Sequence, residues 1–219
     1  RFKYVLYYHM TATDKRLRNE IKDLRKNRID FVQAIQDESD KLIFYFLMEG
    51  DCDSSYAGGY YIGKILLPKN YPASPGDFMF LTPNGRFLTN QKICLSNSAY
   101  HSSEWTPTWS IRNIVLGMVS IFNDDREHGI SHIKDPPSKR KSQASESVKY
   151  NLVNYRDLFL QFNQFVNSDG TIKSKVQREK EKKEYEEKRK LRRELKKQKK
   201  TDQESEPEQE PEPVPEPEP

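Results

Sequence analysis

The 219-residue chain carries 37 Lys and Arg against 33 Asp and Glu, with two cysteines and four histidines. Cys52 and Cys94 are too few and too far apart for a zinc site, which needs four close Cys or His ligands, so no metal is expected. The opening "RFKYVLYYHM" lacks a secretory cleavage site and no run approaches the ~20 apolar residues of a membrane span, which makes a reducing cytoplasmic compartment the default.

The net charge of +4 hides a division along the chain. Residues 171–200 hold 15 Lys or Arg against 6 Asp or Glu, residues 201–219 hold 8 acids and no base, and the first 170 residues sum to +3. Aromatic and aliphatic residues are spread only through those first 170, so a core is expected there alone. The expected division is an N-terminal extension (1–10), one globular domain (11–170), a basic charged helix (171–200) and a disordered acidic Glu/Pro tail (201–219). A chain opening on Arg1 is either a fragment or an extension ahead of a true start at Met10, and the second is favoured because a helix signal follows Met10 directly.

Thr11 or Thr13 can cap a first helix, roughly Ala12 to Asn27, in which Leu17, Ile21 and Leu24 recur at helical spacing. "FVQAIQ", "KLIFYFLM", "GGYYIGKILL" and "DFMFL" then read as four strands joined by short links, an antiparallel meander. After Leu81 the pattern is irregular for nearly thirty residues, long enough to suggest a functional loop. Ser110 caps a helix with Ile111, Ile114, Val115, Met118 and Ile121 on one face. A basic, Pro-containing link, "HIKDPPSKRKSQAS", is expected before a further helix carrying Val148, Leu152, Tyr155, Phe159, Phe162 and Val166. The fold class is α+β. Beyond "NSDG", strong helix formers and i,i+4 pairs such as Glu184 with Lys188 predict an isolated charged helix, and the Pro-rich end predicts an extended tail.

Cys94 is the residue with chemical promise. Between Ile93 and Leu95 its plain reading is a core filler, since free Cys is among the most buried residue types. Three features argue for chemistry: the segment is loop, Lys92 adds positive charge that favours thiolate, and Asn84, Asn90, Ser96, Asn97 and Ser98 crowd it with polar groups. A papain-like hydrolase would need a His as base, and His9, His101, His128 and His132 stay open as candidates without a recognisable protease signature.

"YAGGYYIGKILLPKNYPASP", "TPNGRF", "KICLS" and "EWTPTWS", in this order and at these intervals, resemble the ubiquitin-conjugating enzymes over roughly Thr11 to Phe165. The match is closest to the J group, tail-anchored enzymes of the endoplasmic reticulum. That group replaces the first residue of the usual His-Pro-Asn motif and lengthens the interval to the Cys. Here Thr82, Pro83 and Asn84 stand at the motif, and Cys94 follows ten residues after Asn84.

The resemblance implies the ubiquitin-conjugating fold and an acyl transfer. Cys94 would accept ubiquitin as a thioester from the ubiquitin-activating enzyme, then pass it to Lys or hydroxyl groups of a protein substrate with a RING-type ubiquitin ligase. No cofactor is implied, ATP being used by the activating enzyme. Asn84 would stabilise the oxyanion or hold the loop, the latter compatible with shaping the "PNG" turn. His101 matches a J-group His that could activate the nucleophile, and equally reads as a solvent-facing loop residue.

Arg16 on the first helix, Pro68 and Ala73 in the next loop, and Trp105, Thr106 and Pro107 match the family's ligase-binding surface, although Trp105 also reads as plain core. Ala73 stands where a large apolar residue usually meets the ligase. Gly76, Asp51 and Ala57 also depart from the family pattern, and the chain ends in Glu-Pro repeats where the J group has its membrane span. An anchor beyond Pro219 would place it on the cytosolic face of the endoplasmic reticulum. Without one, the basic helix reads first as a solvated spacer, and could also serve as a membrane-surface contact or a nuclear address, with nucleic acid the less favoured partner. The alternatives are a catalytically silent module of the same fold that binds ubiquitin or a ligase, and an adaptor acting through its charged C-terminal region.

Overall fold

A computed structural model describes residues 11–93, 105–124, 126 and 128–204. The chain divides into two compact units, Arg1–Ile172 and Lys173–Pro219. In the first, helix α1 (Ala12–Lys26) opens with Thr11 as its cap. The Thr11 hydroxyl accepts from Asp14 N, and the Asp14 carboxylate accepts from Thr11 N, which satisfies two otherwise orphaned N–H groups.

Strands β1 (Val32–Gln36), β2 (Ile43–Glu49), β3 (Tyr60–Leu66) and β4 (Asp77–Phe80) follow. They form one antiparallel sheet in sequence order, as their β-branched and aromatic content predicts. Alternation along each strand sends two apolar sets to opposite faces. Phe44, Phe46, Met48, Tyr61, Ile65, Phe78 and Phe80 pack with Leu17 of α1 and with α2 (Ile111–Asn123). Leu47, Tyr60, Ile62 and Leu81 pack with Phe159, Phe162, Phe165 and Val166. Gly63 faces Phe46 on one side and Phe80 on the other in the ladder. A Cβ there would lie 2.0 Å from the Phe46 ring, so its absence lets the Phe46 and Phe80 rings meet edge-on at 5.5 Å.

Helix α2 begins where Ser110 predicts, the Ser110 hydroxyl accepting from Asn113 N. The C-terminal part of this unit differs from the sequence-based expectation. Most of the segment expected to be a link is helix: α3 spans Pro137–Asn154, with Pro137 at its first position, where a missing N–H costs nothing. The single helix expected to reach Val166 is interrupted at Tyr155 (φ −141°, ψ 36°), and α4 covers only Arg156–Gln161. Beyond it, tight turns from Phe162 to Phe159 and from Phe165 to Phe162 fold the aromatic residues onto the sheet. Thr171 and Ile172 belong with this unit, two residues past the expected boundary, because Val166 bridges to Ile172 and Asn167 N donates to Thr171 O at 2.8 Å.

In the second unit α5 runs Lys175–Glu204, thirty residues or ~45 Å of helix. Ser174 accepts from Gln177 N at its start, and Lys173 pairs with Glu181 at 2.7 Å. Thr201–Glu204, assigned to the tail from sequence, continue the helix, since the first proline able to stop it is Pro207. Among the described residues no helix is long and apolar enough to cross a membrane.

Candidate active site

Cys94 and His101 lie outside the described residues, and the chain on either side of them is firmly held. Ile93 is fully buried and its N–H donates to Phe78 O of β4 at 2.8 Å, which fixes the strand edge where Cys94 follows. Trp105 is buried, and its indole Nε1 donates to Pro72 O at 2.9 Å. Lys92, whose positive charge was expected to favour thiolate, forms an ion pair with Asp77 at 2.7 Å. Cys52, the other thiol, is exposed in the β2–β3 connection.

Asn84 is wholly buried. Its Oδ1 accepts from the backbone N–H groups of Arg86 and Phe87, both at 2.8 Å, and its Nδ2 donates to Thr82 O at 2.9 Å. An amide carries one acceptor oxygen and two N–H donors, so the oxygen and one hydrogen are spent closing this turn. Gly85 follows with φ +72°, and a Cβ on it would come within 3.0 Å of Gln143, Arg140 and Asp135. Only glycine meets both conditions without strain.

The turn is held from outside as well. Leu88 N donates to Ser131 O, Ile133 N to Arg86 O and Asp135 N to Gly85 O, so residues 131–135 run beside residues 85–88. Arg86 is buried and donates to Asp124 O at 2.8 Å. It also lies 3.0 Å from His132 Nδ1, which accepts because a guanidinium can only donate.

Thr82, at the place of the motif His, is buried; its hydroxyl accepts from Ile62 N at 2.9 Å and donates to Asn151 Oδ1 of α3 at 2.6 Å. Asn151 Nδ2 donates to Tyr60 O, and Ser147 accepts from Tyr60 N. Arg140 Nε donates to Gly85 O at 3.3 Å. Sequence reasoning singled out Thr82 and missed Arg140, Ser147 and Asn151, whose spacings of seven and four are helical but whose side chains are polar.

The six residues assigned to a ligase surface meet in part. Arg16 Nη2 donates to Trp109 O at 2.9 Å, and Trp105 joins the Pro72 carbonyl, so α1, the residue 68–75 loop and the residue 105–109 segment are tied together. Thr106, Pro107 and Ala73 are exposed, and Pro68 is half-buried at a cleft with Asn70, Ser74 and Asp77. The residue that organises this region is Glu20, which the sequence did not reveal beyond an i,i+4 spacing to Arg16. Its buried carboxylate accepts from Arg16 Nε, from Tyr71 Oη at 2.7 Å and from Ile111 N, the first N–H of α2, at 2.6 Å. Burial, with the Glu20 carboxylate beside it, raises the Tyr71 phenol well above its ordinary value near 10.

The family model "Ubiquitin-conjugating enzyme" matches residues 16–149. The chain is 33% identical over 170 residues to "Ubiquitin-conjugating enzyme E2 32" of Arabidopsis thaliana, covering 76% of this chain and 55% of that protein. It is 34% identical over 175 residues to "Ubiquitin-conjugating enzyme E2 6" of Candida glabrata, covering 80% and 71% respectively. With "Ubiquitin-conjugating enzyme E2 J2-like" of Dictyostelium discoideum it shares 34% over 139 residues, 64% of this chain and 81% of that one. Thus the chain spans little more than half the length of the Arabidopsis relative.

Proposed function

The chain belongs to the ubiquitin-conjugating enzyme family, and from that premise we propose that it is itself an acyl carrier, with Cys94 as the acceptor. The Cys94 thiolate attacks the ubiquitin thioester on the activating enzyme and that enzyme's thiolate leaves. A substrate amine or hydroxyl then attacks the new thioester, loses its proton, and displaces the Cys94 thiolate. Exchange between thioesters is nearly balanced in energy, and a free thiol with a pKa of ~8.5 supplies enough thiolate near neutrality.

The observation that carries this reading is the family match across residues 16–149, in which the cysteine at the motif's interval follows the anchored Ile93. Asn84 acts chiefly as loop support, because its oxygen and one N–H are bound within its own turn. An oxyanion role would fall to its second N–H. His101 would orient or deprotonate the nucleophile. Assignment to the J group rests on Thr82-Pro83-Asn84, on the ten-residue interval and on the relative named J2-like. A RING-type ligase would sit on Arg16, Pro68, Ala73, Thr106 and Pro107 above Trp105, with less apolar contact at Ala73 than a bulky residue would give. An anchor beyond Pro219 would place the chain on the endoplasmic reticulum's cytosolic face; without one, the 15 Lys and Arg of residues 171–200 would favour an anionic lipid surface.

Incubation with activating enzyme, ATP and ubiquitin tests the central claim. The expected product is a thiol-sensitive adduct that Cys52→Ala still forms, that Cys94→Ala does not form, and that Cys94→Ser converts into a thiol-resistant ester. No adduct on the unmodified chain, or an adduct that survives Cys94→Ala, would leave the silent-module reading in its place.

A further inference from the structure

We propose that Asn151, acting through Thr82, is a positioning residue for ubiquitin transfer, so that helix α3 holds the Asn84 turn. The inference rests on Cys94 being the acyl carrier and on the Asn84 turn supporting it.

Thr82 begins that turn, and its carbonyl accepts the Asn84 amide hydrogen at 2.9 Å. A hydroxyl is short, so it cannot span the turn and fix its neighbours unaided. Here it is locked at both ends: Ile62 N of β3 donates to it, and it donates to Asn151 Oδ1 at 2.6 Å. The Asn151 amide is oriented in turn by its own donation to Tyr60 O at 2.8 Å, so its oxygen cannot flip away from Thr82. All three partners are buried, and a buried polar chain of this kind has one satisfied arrangement. One helical stretch earlier, Arg140 Nε reaches Gly85 O on the far side of Asn84. Helix α3 therefore grips the turn on both sides of Asn84, through the hydroxyl of Thr82 and the carbonyl of Gly85.

The consequence separates two steps. Accepting ubiquitin needs only the thiol and the activating enzyme, whereas discharge to an amine needs the turn placed to well within an ångström, where misplacement costs up to ~10²-fold. Thr82→Val removes the hydroxyl at nearly constant volume but leaves Ile62 N and Asn151 Oδ1 without that partner, so its thermal unfolding is measured first, and Thr82→Ser keeps the hydroxyl. The test uses the full chain, charged with ubiquitin and then given free lysine in single-turnover conditions well below the melting temperature.

Discharge by Thr82→Val should fall about tenfold with charging changed less than about twofold, and Thr82→Ser should recover most of the loss. Asn151→Leu should slow discharge similarly, and Thr82→Val with Asn151→Leu should be little worse than either alone, since both break one chain. Discharge unchanged in Thr82→Val, charging reduced in parallel with discharge, or losses that multiply in the double variant would each overturn the inference. An unmodified chain that does not charge overturns the acyl-carrier reading instead. A chain that charges normally while Thr82→Val discharges normally overturns only the role of α3.

Discussion

Glu20→Gln should destabilise the first unit by about 3 kcal/mol. The carboxylate accepts three donors, and a carboxamide can present only one oxygen. If the amide nitrogen takes the place of Oε2, it meets Ile111 N–H donor to donor and leaves the first N–H of α2 buried and unpaired, at about 1.5 to 3 kcal/mol. Loss of the negative charge at that helix N-terminus adds about 0.3 to 1 kcal/mol, because α2 has no acidic residue in its own first turn. Loss of the pairing with Arg16 adds under about 1 kcal/mol, since the Arg16 side chain is 30% exposed. In a unit of this size the melting temperature should drop by roughly 6 to 12 °C. Trp105 and Trp109 are the chain's two tryptophans and both flank the Glu20 cluster, so urea unfolding followed by indole fluorescence reads the site directly. A Glu20→Gln protein within about 0.5 kcal/mol of the unmodified chain would refute the reasoning.

Alkaline stability should depend on Tyr71 and Tyr61, both raised by burial and then by a neighbouring group, Glu20 for Tyr71 and Tyr56 for Tyr61. A raised phenol gives stability that is complete below the unfolded value near 10 and is lost as pH climbs above it, so the melting temperature should fall from about pH 10 upward. Absorbance titration of the native chain should leave Tyr61 and Tyr71 un-ionised well above the ordinary phenol range. Gly85→Ala should cost about 1 to 3 kcal/mol, through its positive φ and its crowding of Arg140 and Gln143, and should slow ubiquitin discharge more than charging. Phe122→Ala should cost about 3 to 5 kcal/mol in urea unfolding, because its ring meets Tyr56, Tyr61, Phe80 and Phe87 within 6.2 Å; a loss under about 1 kcal/mol would contradict that packing.

The strands and first two helices were legible because their signals are local: alternating apolar residues in β2 to β4, the Thr11 cap on α1 and Ser110 on α2. Helix α3 was half hidden. Its buried positions are Arg140, Ala144, Ser147 and Asn151, a helical spacing with almost no hydrophobic signal, and Pro136 and Pro137 ahead of it read as a break. The end of that helix at Tyr155 and the turns after Gln161 depend on how Phe159, Phe162 and Phe165 fit the sheet, which no local pattern encodes. At the site, Asn84 was singled out by the resemblance of Thr82-Pro83-Asn84 to the family motif, but the use of its amide within the turn is visible only in the structure. Glu20 was invisible for the opposite reason: a charged residue on a charged helix carries no mark of burial.

The inward stripe of α3 also decides how that helix can be docked. A greasy face packs almost as well after slipping by a turn, because methyl groups are interchangeable. Ser147 on Tyr60 N, Asn151 on Tyr60 O and Thr82, and Arg140 on Gly85 O work like the cuts of a key: a slip of one turn would leave all of them without mates. Grafting α3 onto a related domain would therefore succeed only if Tyr60, Thr82 and Gly85 travelled with it.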